Sequence, residues 1–141
     1  MGGLVLLFLC WAVADATLYQ DCGSVASDVE FTVEGCEVPP CVLPRGDVFQ
    51  VDFKFTASRD TSTLTIGAWA TIGGIEFPWE GIDTDGCHFT TCPITGGSVV
   101  HWTMPVEILT EYPAISVVVT FKLTDDAGDP QTCALLPVTI V

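Results

Sequence analysis

Period-two alternation is the feature of this sequence that most limits how the chain can fold. In the stretch DVFQVDFKF, residues 47–55, every second side chain from Phe49 to Phe55 is apolar. Successive side chains of a β-strand point to opposite faces, so these residues form one apolar face and their neighbours form a more polar one. Three phenylalanines on one face raise the question of whether that face packs against protein or encloses a ligand.

Similar stretches recur along the chain, and helical periodicity does not. Glycine, proline and aspartate separate the stretches, as in GCEVPPC, LPRGD and DDAGDP, and the spacing is not that of β–α–β units. Two antiparallel sheets packed face to face would bury one face of each strand. We therefore predict an all-β, immunoglobulin-like two-sheet β-sandwich of about seven strands. The predicted strands cover residues 28–34, 47–55, 64–72, 75–79, 99–106, 115–123 and 136–140.

The N-terminal stretch GLVLLFLCWAVA, residues 3–14, is too short to span a bilayer easily and ends in small residues. Ala14-Asp15-Ala16 supplies an A-x-A cleavage site, which is typical of a secretory signal peptide. We predict a signal peptide over residues 1–16, cleaved after Ala14 or Ala16, followed by one domain over residues 17–141. A membrane anchor is the alternative interpretation of the first stretch.

The sequence has seven cysteines, and removal of Cys10 with the signal peptide would leave six. An even number of cysteines after a signal peptide predicts three disulfides, formed in an oxidising compartment. Six cysteines allow about 15 pairings. Two pairs share one x4 spacing and could each close its own loop, which would leave the first and last cysteines for each other: Cys36 with Cys41, Cys87 with Cys92, and Cys22 with Cys133.

Acidic residues outnumber basic residues by 18 to 4, which gives a net charge of −14. Loss of Asp15 with the signal peptide would reduce the 18 acidic residues to 17 and the charge to about −13. Binding to nucleic acid or to anionic membranes requires clustered Lys and Arg, so the composition argues against both partners. The acidic residues are scattered along the chain, which is typical of a solvated surface.

The sequence contains no arrangement of residues that is typical of an enzyme. Its two histidines, His88 and His101, belong to no H-E-x-x-H motif, and neither G-x-S-x-G nor a phosphate-binding loop is present. Asp83, Asp85 or the stretch DDAGDP could bind a cation, but that stretch lacks the Gly and Glu positions of a calcium loop. The x4 cysteine spacing is not that of zinc sites either. We predict no catalysis, no cofactor and no bound metal.

The inward faces of the predicted strands carry many aromatic rings, and two arrangements of them remain open. In one, the faces interlock into a dense core, as protein interiors normally do. In the other, the sheets splay and enclose an apolar cavity, which would need on the order of several hundred Å³ to hold a lipid. Periodicity does not distinguish the two arrangements. The rings concerned are Phe31, Phe49, Phe53, Phe55, Trp102 and Phe121.

Motifs along residues 17–141 occur in an order that resembles one known family. Cys36-x4-Cys41 precedes the phenylalanine-rich strand, GIDTDGCHFTTCPI contains the second x4 pair, and EYP precedes a valine-rich strand. This order and this cysteine spacing resemble the ML, or lipid-recognition, domain family. Within this family the sequence resembles the Niemann–Pick type C soluble sterol carriers, also called epididymal secretory proteins, and the group-two mite allergens.

The resemblance implies a sandwich that holds a lipid in an internal apolar cavity between its sheets, with each x4 cysteine pair closing its own loop. It implies an aromatic ring at the mouth of the cavity, matched by Trp79 after Pro78. Opposite this ring it implies Tyr112 and either Val106 or Ile108. The other lining residues that it implies are Val33, Phe49, Val51, Phe53, Phe55, Phe77, Val117, Val119 and Phe121.

The expected ligand is a neutral hydrophobic lipid, in the first place a sterol. A sterol needs one hydrogen-bond partner for its hydroxyl, for which Tyr112 and a backbone group near the mouth are the candidates, whereas a fatty acid would favour a cation at the mouth. Lys54 and Lys122 should project opposite the apolar faces of their strands, which leaves Arg45 and Arg59 as the other cations of the chain. We predict a secreted, monomeric, non-enzymatic carrier.

Two alternative functions remain. One is an extracellular innate-immune module with a filled core that binds a microbial glycolipid or a partner protein, and the other is a carrier of fatty acids or semiochemicals. A lipid-transfer receptor or an immune receptor would be the protein partner. The sequence has no asparagine and therefore no N-glycosylation site, so secretion is expected rather than delivery to the lysosomal lumen.

Overall fold

The structure, a computed structural model, describes residues 16–141. These residues form nine β-strands and one 3-10 turn at Gly86–His88, connected by loops. The predicted signal peptide therefore lies outside the described residues, apart from Ala16. The seven predicted stretches all form strands, and the two additional strands, β1 and β3, are too short to show alternation. The strands are β1 (Gln20–Asp21), β2 (Ser27–Val33), β3 (Cys41–Leu43), β4 (Val48–Thr56), β5 (Leu64–Ile72), β6 (Ile75–Pro78), β7 (Val99–Glu107), β8 (Ser116–Asp125) and β9 (Pro130–Ile140).

The strands form two sheets, which confirms the predicted immunoglobulin-like β-sandwich. One sheet has six strands in the order β1-β9-β8-β5-β6, with β3 paired in parallel to β9. The other has three strands in the order β2-β4-β7, paired antiparallel. Within residues 16–141, no helix is long and apolar enough to cross a membrane.

The alternation in β4 matches its burial. Phe53 and Phe55 are each 1% exposed, whereas Lys54 between them is exposed. The Phe53 ring lies 4.9 Å from the ring of Phe31 on β2 and 6.0 Å from that of Trp102 on β7. Burial of each such side chain stabilises the fold by about 1.5–3 kcal/mol, so this stretch anchors the smaller sheet to the core.

β9 begins six residues before the predicted start, at Pro130 instead of residue 136. The prediction missed this half because residues 131–134 are all buried and show no alternation. Gln131 is a polar residue in this buried stretch, and both polar groups of its side chain are hydrogen-bonded. Its side-chain amide donates to Ser58 Oγ at 2.8 Å and to Asp125 Oδ2 at 2.8 Å, and its oxygen accepts from Ser58 N at 3.1 Å.

These hydrogen bonds close one end of the sandwich, because Ser58 follows β4 of the smaller sheet and Gln131 belongs to the larger one. The Asp125 carboxylate also accepts from the backbone of Ala127 and Asp129, at 2.9 and 3.0 Å, and so holds the turn between β8 and β9. Burial alone would raise the pKa of Asp125, but these hydrogen bonds outweigh it and lower the pKa. Side-chain hydrogen bonds thus fix this end of the sandwich.

All three disulfides form with the pairing that the family resemblance implies: Cys22–Cys133, Cys36–Cys41 and Cys87–Cys92. The first joins residues 111 positions apart and ties β1 to β9. The other two each close a loop with a separation of 5. The last of them fixes the loop that contains the 3-10 turn at Gly86–His88.

Candidate functional site

Three cavities meet at Trp79, at the end of the sandwich away from Asp125. The first, which we call the outer pocket, has a volume of about 390 Å³ and opens to solvent beside β6. The second, the inner cavity, lies between the sheets and has a volume of about 20 Å³. The third, the side opening, has a volume of about 340 Å³ and lies between β7 and the loop after Trp79. The Trp79 side chain is half-buried and lines all three.

The outer pocket lies beside the hairpin of β5 and β6. Gly73 and Gly74 form its two-residue turn with φ of 58° and 79°, which fits the positive angles required by a type I′ turn. The hairpin places Ile72 and Phe77 against the start of β8 and the end of β9. The other apolar residues that line the outer pocket are Ala70, Pro78, Trp79, Pro113, Ile115, Val117 and Ile140.

Trp79 is held in place by hydrogen bonds. Its backbone N–H donates to Ala68 O at 2.8 Å, and its indole Nε1–H donates to Tyr112 Oη at 2.7 Å. The two rings meet edge to face, with centroids 5.6 Å apart. Tyr112 Oη in turn donates to the backbone oxygen of Glu80 at 3.3 Å. The Trp79–Tyr112 pair thus separates the inner cavity from solvent.

The inner cavity is apolar and almost filled. Its volume of about 20 Å³ is close to the roughly 10–15 Å³ that a single water molecule requires. A lipid-sized pocket needs on the order of 300 Å³ or more, which among these three cavities only the outer pocket and the side opening reach. The internal apolar space expected between the sheets is therefore present as a small remnant that adjoins two larger openings.

Comparison with known proteins identifies the family to which the chain belongs. The family model of the ML domain matches residues 16–140. The chain belongs to the ML-domain family. It is 32% identical over 143 residues to NPC intracellular cholesterol transporter 2 of Danio rerio, covering 100% of this chain and 96% of that protein. It is also 32% identical over 130 residues to mite group 2 allergen Lep d 2 of Lepidoglyphus destructor, covering 91% and 92%.

Solved structures share the fold of this ML domain. The crystal structure of a Niemann-Pick type C2 protein from Japanese carpenter ant superposes with a TM-score of 0.77 at 21% identity, covering 88% of this chain and 99% of that one. The crystal structure of chicken MD-1 complexed with lipid IVa superposes with a TM-score of 0.55 at 17% identity, covering 83% of each chain. At these identities the likeness concerns the fold alone.

The structure of the ML domain brings together most of the residues that the family resemblance implied. Trp79 is the only one of them that lines both the outer pocket and the inner cavity. Both Val106 and Ile108 line the inner cavity, so the two alternatives for the aliphatic position occupy it together. The other implied residues at the inner cavity are Val33, Phe49, Val51, Val119 and Phe121, and those at the outer pocket are Phe77, Tyr112 and Val117.

Phe53 and Phe55 line none of the three cavities. Phe53 packs between Phe31 and Trp102, and Phe55 is buried to the same degree further along β4. The phenylalanine face is thus divided: its first residue, Phe49, reaches the inner cavity, and its last two lie in dense core.

The sequence-based site omits several lining residues. Leu136 and Val138 line the inner cavity, and Ile140 lines the outer pocket. Their alternation in the predicted last strand already placed them on one face, so a signal existed. The sequence signal for Ile72 and Ile115 was weaker, because alternation stops at the ends of strands. Ile72 is the last residue of β5, and Ile115 directly precedes β8.

The side opening has an acidic rim, because Asp83 and Glu107 line it. His88 Nδ1 lies 2.5 Å from Asp83 Oδ2, and His88 Nε2 lies 3.3 Å from Asp85 Oδ2. The hydrogen bond with Asp83, aided by the charges of both aspartates, raises the pKa of His88. The same hydrogen bond lowers the pKa of Asp83. Asp83 therefore remains a carboxylate at neutral pH.

The pKa of Tyr112 is also shifted. Burial raises it, the hydrogen bond from Trp79 opposes that change, and the negative charges of Glu111 and Glu107 add to it. The phenol is thus neutral at neutral pH and keeps the proton that it donates to Glu80 O. Within residues 16–141, no His, Cys, Asp and Glu side chains are grouped as a metal ion would require.

Proposed function

We propose that this ML domain is a secreted, non-enzymatic carrier of a hydrophobic lipid, with a sterol as the ligand to test first. One observation carries the proposal: an apolar pocket of about 390 Å³ adjoins, across a single indole ring, the apolar space between the two sheets. An apolar ligand gains about 25 cal/mol for each Å² that it withdraws from water, so such a pocket needs few polar contacts to bind one.

The names of the relatives support the same ligand class. Proteins from Danio rerio and Bos taurus, 32% and 30% identical to this chain, are named NPC intracellular cholesterol transporter 2. Sequence coverage of 96% and 93% of these proteins means that no large part of them lacks a counterpart here. We therefore propose binding and release of a lipid, without a chemical step, as the function of this chain.

The size of the inner cavity favours a second candidate. A core with only about 20 Å³ free is what an extracellular recognition module with a filled sandwich would have. Such a module would bind a microbial glycolipid or a partner protein at its surface. A lipid carrier, by contrast, must seat its ligand in the outer pocket or in the side opening, or part the sheets around the Trp79–Tyr112 pair.

Lipid that co-purifies with the protein separates the two candidates. The full chain is expressed in eukaryotic secretory cells, purified from the medium, and extracted for mass spectrometry of the lipids. A carrier is expected to yield a near-stoichiometric sterol or another lipid, and the intact mass should show loss of the predicted signal peptide. If the extract is empty and the protein also fails to take up a panel of sterols and fatty acids, the carrier proposal is wrong.

A further inference from the structure

Every charged residue among those that line the two openings beside Trp79 is acidic. Glu80 lines the outer pocket, and Asp83 and Glu107 line the side opening. Arg45 is nearby but lines neither opening, and its guanidinium donates to the backbone oxygens of Tyr112 and Val141, at 3.4 and 3.3 Å. An anionic group entering either opening therefore meets negative charge, with no cation in the lining to compensate for it.

The polar side chains at this end also offer acceptors rather than donors. The Trp79 indole N–H is used by Tyr112 Oη, and the Tyr112 hydroxyl hydrogen is used by Glu80 O. The carboxylates of Glu80 and Glu107 can only accept, and the Tyr112 oxygen keeps one lone pair. A bound ligand satisfies these groups only if its own polar end donates a hydrogen bond.

We infer that the two openings select apolar ligands whose polar end donates a hydrogen bond, such as an alcohol or an ammonium group, and reject carboxylates. Glu80 and Glu107 are the specificity-determining residues. This inference rests on the proposed carrier function and narrows its ligand class. It also predicts that the preference for alcohols and amines over carboxylates weakens with added salt, because salt screens exposed charges.

Asp83 contributes charge to the same rim but has a second role. It accepts hydrogen bonds from His88 and from the backbone of Asp85 at 2.9 Å, and so holds the loop after Trp79. Substitution of Asp83 would change both charge and loop geometry. Glu80 and Glu107 are exposed, so Glu80→Gln and Glu107→Gln change the charge while keeping the size of the side chain.

Three fluorescent probes with one apolar skeleton test the inference: pyrenebutanol, pyrenebutylamine and pyrenebutanoate. Each is titrated at neutral pH and low salt against the wild-type protein and the E80Q/E107Q double variant. We expect the wild type to bind the alcohol and the amine about tenfold or more tightly than the acid. We expect the double variant to bind the acid about three- to tenfold more tightly and the alcohol unchanged, as removal of two unscreened charges predicts.

The matched control is the E30Q/D129N double variant, which removes two acidic charges that line neither opening. The control should keep the wild-type preference. Equal binding of acid and alcohol by the wild type, or an equal change in both double variants, would overturn the inference while leaving the carrier function intact. If none of the probes binds and co-purified lipid is also absent, the carrier function fails and the inference fails with it.

Discussion

At the scale of single residues, Trp79 has the most consequential position in the molecule. Its indole ring lines the outer pocket, the inner cavity and the side opening, and its one polar group is satisfied by Tyr112. A phenylalanine could fill the same space but could not make this hydrogen bond. The residue thus combines an apolar wall for a ligand with a polar contact that holds the wall in place.

Trp79→Ala is expected to weaken binding of pyrenebutanol by about tenfold or more, because it removes the ring that all three cavities share. Titration by fluorescence measures the change. Trp69→Ala is the matched control, since Trp69 is also half-buried but lies over Gly67 on the outer face of β5, 5.6 Å from Lys122 Nζ. Unchanged binding by Trp79→Ala would remove this residue from the site.

The Asp83–His88 pair should give the stability of the domain a defined pH dependence. His88, with its pKa raised above 6.5, stabilises the folded state below that value, and the contribution is lost as the pH rises through the raised pKa. Asp83, with its pKa lowered below 3.8, stabilises it above that value, and the contribution is lost as the pH falls through the lowered pKa. The pair therefore contributes fully between these two ordinary values.

NMR titration of the His88 ring measures this coupling directly. Asp83→Asn is expected to lower the pKa of His88 towards its ordinary value of 6.5, and the stability difference between variant and wild type should shrink at alkaline pH. Both groups are exposed, so the effect on stability should be small. Asp129→Asn serves as the control. If Asp83→Asn leaves the pKa of His88 unchanged, Asp83 is not the cause of its shift.

At the scale of elements, β4 has two functionally different halves. Phe49 is half-buried and reaches the inner cavity, whereas Phe53 is packed between rings of the two neighbouring strands. Both residues lie on the same face, and their alternation is identical. What separates them is their distance from the end of the sandwich at which the cavities open.

Phe53→Ala is expected to lower the free energy of unfolding by about 3–5 kcal/mol, as for other large-to-small changes in dense cores. Phe49→Ala should cost only about 1–2 kcal/mol, because its side chain is half-buried, and should alter ligand binding by enlarging the inner cavity. Urea unfolding and probe titration of both variants measure the contrast. A well-folded Phe53→Ala variant with impaired binding would place Phe53 at the ligand instead.

At the scale of the whole molecule, the two ends of the sandwich differ in chemistry. One end is closed by Gln131, Ser58 and Asp125, whose hydrogen bonds join the two sheets. The other end has the three cavities and the acidic rim. The Cys22–Cys133 disulfide adds a covalent tie between β1 and β9, and thus between the start and the end of the domain. The proposed ligand site therefore lies at the end that has the cavities.

The three disulfides should differ in their contributions to stability according to the loops that they close. In the chain-entropy model, Cys22–Cys133, with a separation of 111, stabilises the fold by about 4–5 kcal/mol. The same model assigns about 2 kcal/mol to Cys36–Cys41, with a separation of 5. Denaturant unfolding of the two Cys-to-Ala double variants measures both losses, and a larger loss for the short loop would contradict this ranking.

Much of this protein could be predicted from its sequence. Alternation located six of the nine strands and assigned side chains such as Phe53 and Lys54 to the correct faces, because the period of a strand is a local property of the backbone; a seventh, β6, was predicted from a short mixed stretch between turn residues. Motif order indicated the family and the disulfide pairing. Alternation failed only where it was absent: in the short strands β1 and β3, and in the first half of β9, where Gln131 is buried among other buried residues.

The candidate site depended on the tertiary structure. Periodicity states which face a residue lies on but not how far it lies from the end of a strand, so it could not separate Phe49 from Phe53. Nor could it predict that facing side chains leave only about 20 Å³ between the sheets, since that volume depends on how the two sheets pack together. The sequence by itself determined most of the strands and their faces, because the period of a strand is a local property of the backbone, and its motif order indicated the disulfide pairing through the family resemblance. Only the tertiary structure brought Glu107 to the side opening beside Trp79, because the two residues are distant in the chain and meet through the packing of β7 against the loop after Trp79.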